Sequence, residues 1–124
     1  MKVLICGSRN WKDQDLVVTV LEGSYHEARS VGESLTVVEG CARGADTFAH
    51  YWRPSDLWVT HQHYHALWEQ FGRRAGPMRN IEMAKTKPDI VYAFHDNLEK
   101  SLGTRHMVKI SKEAGFPVVV ISHA

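Results

Sequence analysis

The 124-residue chain has only two cysteines, Cys6 and Cys41, which is too few for a secreted domain held together by disulfides. Its apolar runs, such as residues 3–6 and 118–121, are too short for a signal peptide or a membrane span. The formal net charge is +1, so nothing draws the whole chain to nucleic acid or to an anionic membrane. These absences predict a cytoplasmic protein with reduced thiols and no membrane association.

Several familiar enzyme motifs are also missing. The sequence has no G-x-G-x-x-G, no G-x-x-x-x-G-K-[ST], no G-x-S-x-G and no H-E-x-x-H. It contains no internal repeat, no low-complexity segment and no change of composition typical of a linker. The length allows one sizeable core, so we predict a single domain over residues 1–124.

What the sequence does contain is an alternation of strand and helix patterns. Five short runs rich in β-branched or aromatic residues predict strands at 3–6, 35–38, 57–60, 90–94 and 117–121. Helical spacing fills the intervals, with Asp13 as an N-cap and Pro77 in a first turn. This alternation predicts an α/β fold: one Rossmann-like, doubly wound parallel sheet of about five strands in the order 3-2-1-4-5, with helices on both faces.

The polar loop that follows the fourth strand is the strongest candidate for ligand binding. Ser101, Gly103 and Thr104 lie where the carboxyl end of a strand gives way to the amino end of a helix. Unpaired N–H groups and the helix dipole favour an anion there, and Arg105 adds a guanidinium. In the predicted strand order the loop 7–11 faces this loop across one crevice, where such sheets bind ligands.

Four separated segments carry a recognisable family pattern. They are Gly7-Ser8-Arg9-x-Trp11, Gly40-x-Ala42-Arg43-Gly44-Ala45-Asp46, Gly72-x-x-Ala75-Gly76-Pro77-x-Arg79-Asn80-x-x-Met83 and Ser101-x-Gly103-Thr104-Arg105-x-Met107. Together they closely resemble the YspA-type (cpYpsA-related) branch of the SLOG superfamily. The resemblance implies a Rossmann-like fold that binds a nucleotide or a nucleotide-derived ligand. Relatives include the LOG phosphoribohydrolases, which release a base from a nucleoside monophosphate, and the DNA-binding DprA proteins.

The resemblance also implies roles for single residues. The loop with Ser101, Gly103 and Thr104 resembles the phosphate-binding glycine-threonine loop of the LOG enzymes. Arg79 resembles the arginine of their Arg-Lys pair, and Asn80 stands where they have lysine. The resemblance therefore implies that this part of the chain binds phosphate.

One departure from the LOG pattern bears on catalysis. Those enzymes have a glutamate three residues after the Gly-Thr pair, and here that position is Met107. A carboxylate at such a site stabilises the oxocarbenium-like transition state of glycosidic cleavage. The catalytic residues therefore stay unknown, and the carboxylates that can substitute are Asp46, Glu82, Asp96 and Glu99. The candidates for a catalytic role are Arg79, Asp46 and Glu82.

Three functions remain open at this point. The first is a domain that binds a nucleotide or a nucleotide-derived phosphorylated ligand, as a sensor or a processing domain. The second is a LOG-like phosphoribohydrolase acting on a nucleoside monophosphate, and the third is a DprA-like single-stranded nucleic-acid binder, which the weak net charge disfavours. The residues predicted to bind the ligand are Gly7, Ser8, Arg9, Gly40, Arg43, Gly44, Asp46, Arg79, Asn80, Ser101, Gly103, Thr104 and Arg105.

Some of these residues also have a structural interpretation. Asp46 fits the N-cap of a helix that begins near Gly44 as well as it fits a ribose ligand. Arg73 and Arg74 fit a solvated basic pair. The rings of Trp11 and Trp68 suit either packing or stacking on a base.

Two further patterns concern metals and partners. In an extended segment the alternating His61, His63 and His65 project to one face and can meet a metal ion. The sequence fixes no cysteine or carboxylate beside them. We therefore predict neither a metal nor a cofactor. A homodimer is consistent with the apolar positions of two helices, although core packing explains them equally well. Those positions are Tyr51, Trp52, Met78, Ile81 and Met83.

Overall fold

Strands and helices alternate along the chain, as a computed structural model describes for residues 1–54 and 57–123. The strands are β1 (Lys2–Gly7), β2 (Leu35–Glu39), β3 (Val59–His63), β4 (Ile90–Phe94) and β5 (Val118–Ile121). The helices are α1 (Gln14–Ser30), α2 (Ala45–Tyr51), α3 (Trp68–Phe71), α4 (Ala75–Lys85) and α5 (Leu102–Glu113), with 3₁₀ turns at Gly72–Arg74 and Leu98–Lys100. The predicted domain span 1–124 stays a prediction, and Ser55, Asp56 and Ala124 lie outside the described residues.

The five strands form one parallel sheet in the order β3-β2-β1-β4-β5. This confirms the predicted Rossmann-like architecture and strand order. Gly7 at the end of β1 pairs with Phe94 at the end of β4, and the Ser8 N–H then donates to the Phe94 carbonyl at 2.9 Å. The loops that follow β1 and β4 therefore leave the sheet side by side, at the point where the strand order reverses.

The sheet has a hydrophobic core on each face because successive strand residues point to opposite sides. One core packs α1 and α2 against β1 and β2. The other packs α4 and α5 against β1 and β4. The fully buried members of the first core include Val3, Ile5, Val17, Leu21, Leu35 and Val37, and those of the second include Leu4, Val38, Met83, Val91, Ala93 and Met107.

The predicted third strand, 57–60, is correct only for its last two residues, Val59 and Thr60. Leu57 and Trp58 form a turn in which Leu57 is 99% exposed, and β3 begins only at Val59. The register with β2 decides this, because Leu35 pairs with Val59 and Glu39 pairs with His63. β3 lies at the edge of the sheet, where polar side chains are tolerated, so the strand continues through His61, Gln62 and His63 although the apolar run has ended.

The end of β5 is tied to the start of α1 through His123. Its Nε2 lies 2.8 Å from Asp13 Oδ2, its Nδ1 lies 3.0 Å from Asp96 Oδ1, and its ring stacks on Trp11 at 4.7 Å. Asp13 is also the predicted N-cap of α1, with Oδ1 accepting from the Leu16 N–H at 3.1 Å. Hydrogen bonds to Asp13 and then Asp96 raise the pKa of His123, and hydrogen bonds from His123 lower the pKa of both carboxyls.

The described residues bear on two expectations, the absence of membrane association and a homodimer. Among them, no helix has both the length and the apolar character needed to cross a bilayer. Met83 is buried in the core, whereas Tyr51, Met78 and Ile81 are exposed and stay available for the predicted homodimer contact.

Candidate functional site

A cavity of about 640 Å³ opens at the carboxyl ends of β1 and β4, between the loop after β1, the start of α4 and the start of α5. Its position is the one that a doubly wound sheet favours for ligands. The sheet and helices bring together in its wall nine of the thirteen residues predicted to bind: Gly7, Ser8, Arg9, Asp46, Arg79, Asn80, Ser101, Gly103 and Thr104.

The amino end of α5 supplies backbone donors to this cavity. Ser101 is the N-cap, and its Oγ accepts from the Thr104 N–H at 3.1 Å. The first bond of the helix is Arg105 N–H to the Ser101 carbonyl at 3.3 Å, so the N–H groups of Leu102 and Gly103 have no acceptor within the helix. Both residues line the cavity, and their donors add to the positive end of the helix dipole. Such donors can bind an anion.

Arg79, on α4, lines the same cavity as this helix end. Its side chain lies across Gly40, with Nη1 donating to the Gly40 carbonyl at 2.8 Å and Nε donating to Asn80 Oδ1 at 3.3 Å. A β-carbon at Gly40 would lie only 2.9 Å from Arg79 Cδ, so glycine is needed there to leave room for the arginine. Within residues 1–54 and 57–123, no acceptor is found for the remaining N–H groups of this half-buried guanidinium, which can therefore serve a ligand in the cavity.

Asn80 links α4 to α5. It is 3% exposed, and its Nδ2 donates to the Gly103 carbonyl at 3.2 Å and to His106 Nδ1 at 3.1 Å. For this second bond the His106 proton sits on Nε2, and burial lowers the pKa of His106, which favours the neutral ring. Asn80 therefore positions the phosphate-loop candidate, and both of its amide hydrogens are already used.

The loop after β1 closes the opposite side of the cavity. Ser8 Oγ accepts from the Asn10 N–H at 3.0 Å, which holds the turn. The exposed Arg9 guanidinium lies 5.8 Å from the ring centre of Trp68, and both side chains line the cavity. Trp11, by contrast, is 4% exposed and packs edge-on against Phe94, so of the two tryptophans only Trp68 faces the ligand space.

Asp46 is the one carboxylate that the described residues place in the cavity wall. It is not the N-cap that the sequence suggested: Gly44 occupies that position, and Asp46 Oδ2 instead accepts from the N–H of Gly40 at 3.0 Å and of Ala42 at 3.4 Å. Burial, with help from the charge of Glu39, raises the pKa of Asp46 to about 7, against the opposing effects of Arg79 and the two backbone donors. This carboxyl is therefore poised between its two protonation states near neutral pH.

Four predicted ligand residues do not reach the cavity wall. Arg43 is exposed, and Arg105 is exposed with Nη1 donating to the Glu99 carbonyl at 3.2 Å. Gly40 and Gly44 act beneath the wall: Gly40 accommodates Arg79, and Gly44 has φ +80° with its α-carbon packed close to the Ser8 carbonyl. Their importance lies in shape rather than in direct contact.

The other carboxylates considered for catalysis also lie elsewhere. Glu82 is exposed, pairs with Lys85 at 3.0 Å and borders a smaller cavity of about 220 Å³. Asp96 is bonded to His123 and Glu99 is exposed in a 3₁₀ turn, and neither lines the larger cavity.

Several wall residues were missed from the sequence. Arg73 and Lys100 add positive charges, His95 and His106 add imidazoles, and Met107 lies in the wall at 1% exposure. Lys100 directly precedes the predicted loop, so adjacency was a usable signal for it. Arg73 is exposed, as expected for a member of a solvated basic pair, but it also lines the cavity, and this place depends on how the chain turns into α4.

The histidine segment makes a different cluster from the one considered in the sequence. His63 Nδ1 contacts Glu39 Oε1, which His50 Nδ1 also approaches to 3.1 Å. Cys41 Sγ lies 3.6 Å from the same oxygen and 3.6 Å from His65 Nε2. Burial and then the charge of Glu39 raise the pKa of the Cys41 thiol to about 11. Glu39, Cys41, His50 and His63 together offer atoms that can hold a metal ion.

Comparison with known proteins gives a family for this fold and site. Residues 1–71 match the family model described as YspA, cpYpsA-related SLOG family. The chain is also 41% identical over 122 residues to the Gene 61 protein of Mycobacterium phage D29, covering 95% of this chain and 94% of that protein. No solved structure matches. The family match includes the loops after β1 and β2, and the similarity to the phage protein extends through α4 and α5.

Proposed function

The chain belongs to the YspA, cpYpsA-related SLOG family, which indicates a nucleotide-related Rossmann-like domain, and from that premise we propose that it binds a nucleotide or nucleotide-derived phosphorylated ligand in the larger cavity. The observation that carries the proposal is the convergence of two independent anion-binding features on one space. The unpaired N–H groups at the start of α5 and the guanidinium of Arg79 both line it, although they come from different helices.

The charges of the wall support a phosphorylated guest. Arg9, Arg73, Arg79 and Lys100 line the cavity, against the single carboxylate of Asp46 among the described residues. Four cations around one anion favour a ligand that carries negative charge. Arginine is also the side chain best suited to phosphate, since its planar fork donates two parallel hydrogen bonds.

The cavity suggests an orientation for such a ligand. The phosphate binds at Leu102 and Gly103, where the free N–H groups and the helix dipole favour it, with Arg79 in the wall of the same cavity. The base stacks on Trp68, whose ring is 47% exposed at the cavity rim beneath Arg9. The ribose lies between them, within reach of Ser8 or Asp46.

The proposal is tested by thermal unfolding with a panel of nucleoside 5′-monophosphates and the matching nucleosides. A ligand that binds only the folded state raises Tm, so the monophosphates should do so and the nucleosides should not. Arg79→Ala should weaken binding about 10- to 100-fold, as expected for the loss of a charged hydrogen bond. Arg74→Ala is the matched control, because this exposed arginine lies just before α4 but does not line the cavity.

Two results would contradict the proposal. One is that no monophosphate shifts Tm. The other is that Arg79→Ala and Arg74→Ala bind equally well.

The presence of Asp46 in the wall favours a second candidate function, a LOG-like phosphoribohydrolase. In that reaction water replaces the base at C1′ of a nucleoside monophosphate, and a carboxylate beside the sugar stabilises the developing positive charge. Met107 offers no such charge, whereas Asp46 does when ionised. The test is chromatographic detection of free base. Release of base by the wild type but not by Asp46→Asn, with the nucleotide-induced rise in Tm kept in both, would support this activity. Binding without release of base supports a sensor.

A further inference from the structure

We propose that Glu39, Cys41, His50 and His63 form a binding site for Zn²⁺ at the carboxyl ends of β2 and β3, next to the ligand cavity but outside its wall. The proposal does not depend on the proposed nucleotide function, since none of these four residues lines the cavity.

The sheet register and one helix bring the four residues together. Glu39 is the last residue of β2, and His63, the last residue of β3, is its register partner. Cys41 follows in the loop after β2, and His50 lies in the last turn of α2. One ligand atom from each residue lies within 4.8 Å of all the others. Two adjacent strands, a loop and a helix therefore share one small polar space.

The distances suit a tetrahedral ion. Three groups converge on a single oxygen, Glu39 Oε1: His50 Nδ1 at 3.1 Å, Cys41 Sγ at 3.6 Å, and His63 Nδ1. In a tetrahedral zinc site, bonds of about 2.0 Å to N or O and about 2.3 Å to S put N and O about 3.3 Å apart, and S and O about 3.5 Å apart. His50 and Cys41 thus need only small movements to surround an ion, whereas His63 Nδ1 lies closer to the oxygen and has to move outward to admit one.

The donor chemistry selects the class of metal. One thiolate, two imidazoles and one carboxylate suit Zn²⁺ or Co²⁺, while Mg²⁺ and Ca²⁺ prefer oxygen ligands throughout. On binding, the Cys41 thiol loses its proton to solvent, and any imidazole proton on a ligating Nδ1 moves to Nε2. The thiolate and the Glu39 carboxylate then carry two negative charges, which balance the ion.

Glu39 is fully buried, and its carboxylate is held by neighbouring groups. Its Oε2 accepts from the Cys41 N–H at 2.6 Å, and its Oε1 faces His50 and His63. Cys41 has φ +58°, a left-handed conformation that a residue with a β-carbon adopts at a cost of about 1–2 kcal/mol. This conformation places the Cys41 N–H and Sγ beside the carboxylate of Glu39, so both side chains are already fixed at the proposed site.

The site would also stabilise part of the cavity. Gly40, between the two ligands Glu39 and Cys41, donates its N–H to Asp46 and accepts from Arg79. An ion held by both neighbours fixes this peptide, so we expect metal binding to order the side of the cavity that Asp46 and Arg79 form.

The test uses the full, tag-free chain, stripped of metal with a chelator and titrated with Zn²⁺ or Co²⁺. We expect one ion per chain, a rise in Tm with Zn²⁺, and with Co²⁺ the intense visible bands of a tetrahedral site together with a thiolate-to-cobalt charge-transfer band. Cys41→Gly should abolish the charge-transfer band and weaken Zn²⁺ binding at least about 100-fold, because even a hydrogen-bond partner of a metal ligand is worth about 10- to 100-fold.

The variants are chosen so that misfolding cannot decide the result. Cys41→Gly should fold without metal at least as well as the wild type, because glycine adopts φ +58° without strain. His50→Ala should likewise lose tight binding, and His26→Ala, an exposed histidine on α1, is the matched control that keeps it.

The proposal is overturned if the wild type binds no Co²⁺ with a thiolate band, or if Cys41→Gly binds Zn²⁺ as tightly as the control. Nucleotide binding is measured separately on the metal-free protein, so failure of one proposal is distinguishable from failure of the other.

Discussion

Two glycines of the loop after β2 should respond to the same substitution in opposite ways, and the difference tests how Arg79 is positioned. A β-carbon at Gly40 would lie 2.9, 3.0 and 3.1 Å from Cδ, Nε and Cζ of Arg79. A β-carbon at Gly44 would lie 2.1 Å from the Ser8 carbonyl oxygen, at φ +80°. The first neighbour is a flexible side chain, whereas the second is backbone that cannot move alone.

The expected magnitudes follow from what must move. In Gly40→Ala the Arg79 side chain swings away and becomes hydrated, so the free energy of unfolding falls by only about 1 kcal/mol. Affinity for a nucleoside monophosphate falls about 10- to 100-fold, because the displaced guanidinium loses a charged hydrogen bond of about 1.5–3 kcal/mol. Gly44→Ala combines an unfavourable φ with a steric clash and should lose about 3 kcal/mol or more.

Denaturant unfolding and isothermal titration calorimetry measure the two effects separately. We expect Gly40→Ala to fold but to bind poorly, and Gly44→Ala to be defective mainly in stability. Wild-type binding by Gly40→Ala, or an equal loss of stability in both variants, would refute this positioning of Arg79.

Two further predictions concern helix ends and pH. Ser101→Ala removes the N-cap bond to the Thr104 N–H, so the free energy of unfolding measured with denaturant should fall by about 1 kcal/mol. Ser101→Asp should keep the cap and the stability but repel a phosphate. Equal stability of Ser101→Ala and the wild type would contradict the role of Ser101 as a cap. His123→Ala should lower Tm most at pH values between the lowered pKa values of Asp13 and Asp96 and the raised pKa of His123. Below this window the carboxyls become protonated, and above it His123 loses its proton, so the ion pairs stabilise the fold only within the window. A Tm difference that does not change with pH would refute the pairing.

The alternation of strands and helices and the loop at the start of α5 could be predicted from local patterns, and the strand order follows from the Rossmann-like architecture that this alternation indicates. Short apolar runs separated by segments with helical spacing indicate the parallel sheet. The transition from β4 to α5 at Ser101 is visible as a polar loop between two periodic segments. Parallel topology then restricts the ligand to the carboxyl ends of the strands. These features need no knowledge of which side chains meet.

The rest depends on contacts between distant segments, which no local pattern encodes. Arg79 lies across Gly40, 39 residues away, and His63 reaches Glu39 from 24 residues away. The prediction of Asp46 as an N-cap failed because a buried carboxylate found backbone donors in the preceding loop instead. β3 was misplaced because pairing with β2, rather than its own composition, sets where an edge strand starts.

The most direct test of the phosphate site is a titration followed by ¹H–¹⁵N amide shifts, with a nucleoside 5′-monophosphate and with the same nucleoside lacking phosphate. The account predicts that the largest shifts occur at the Leu102 and Gly103 amides and appear only with the phosphorylated compound. Unchanged amides at the start of α5, or equal shifts with the bare nucleoside, would contradict it.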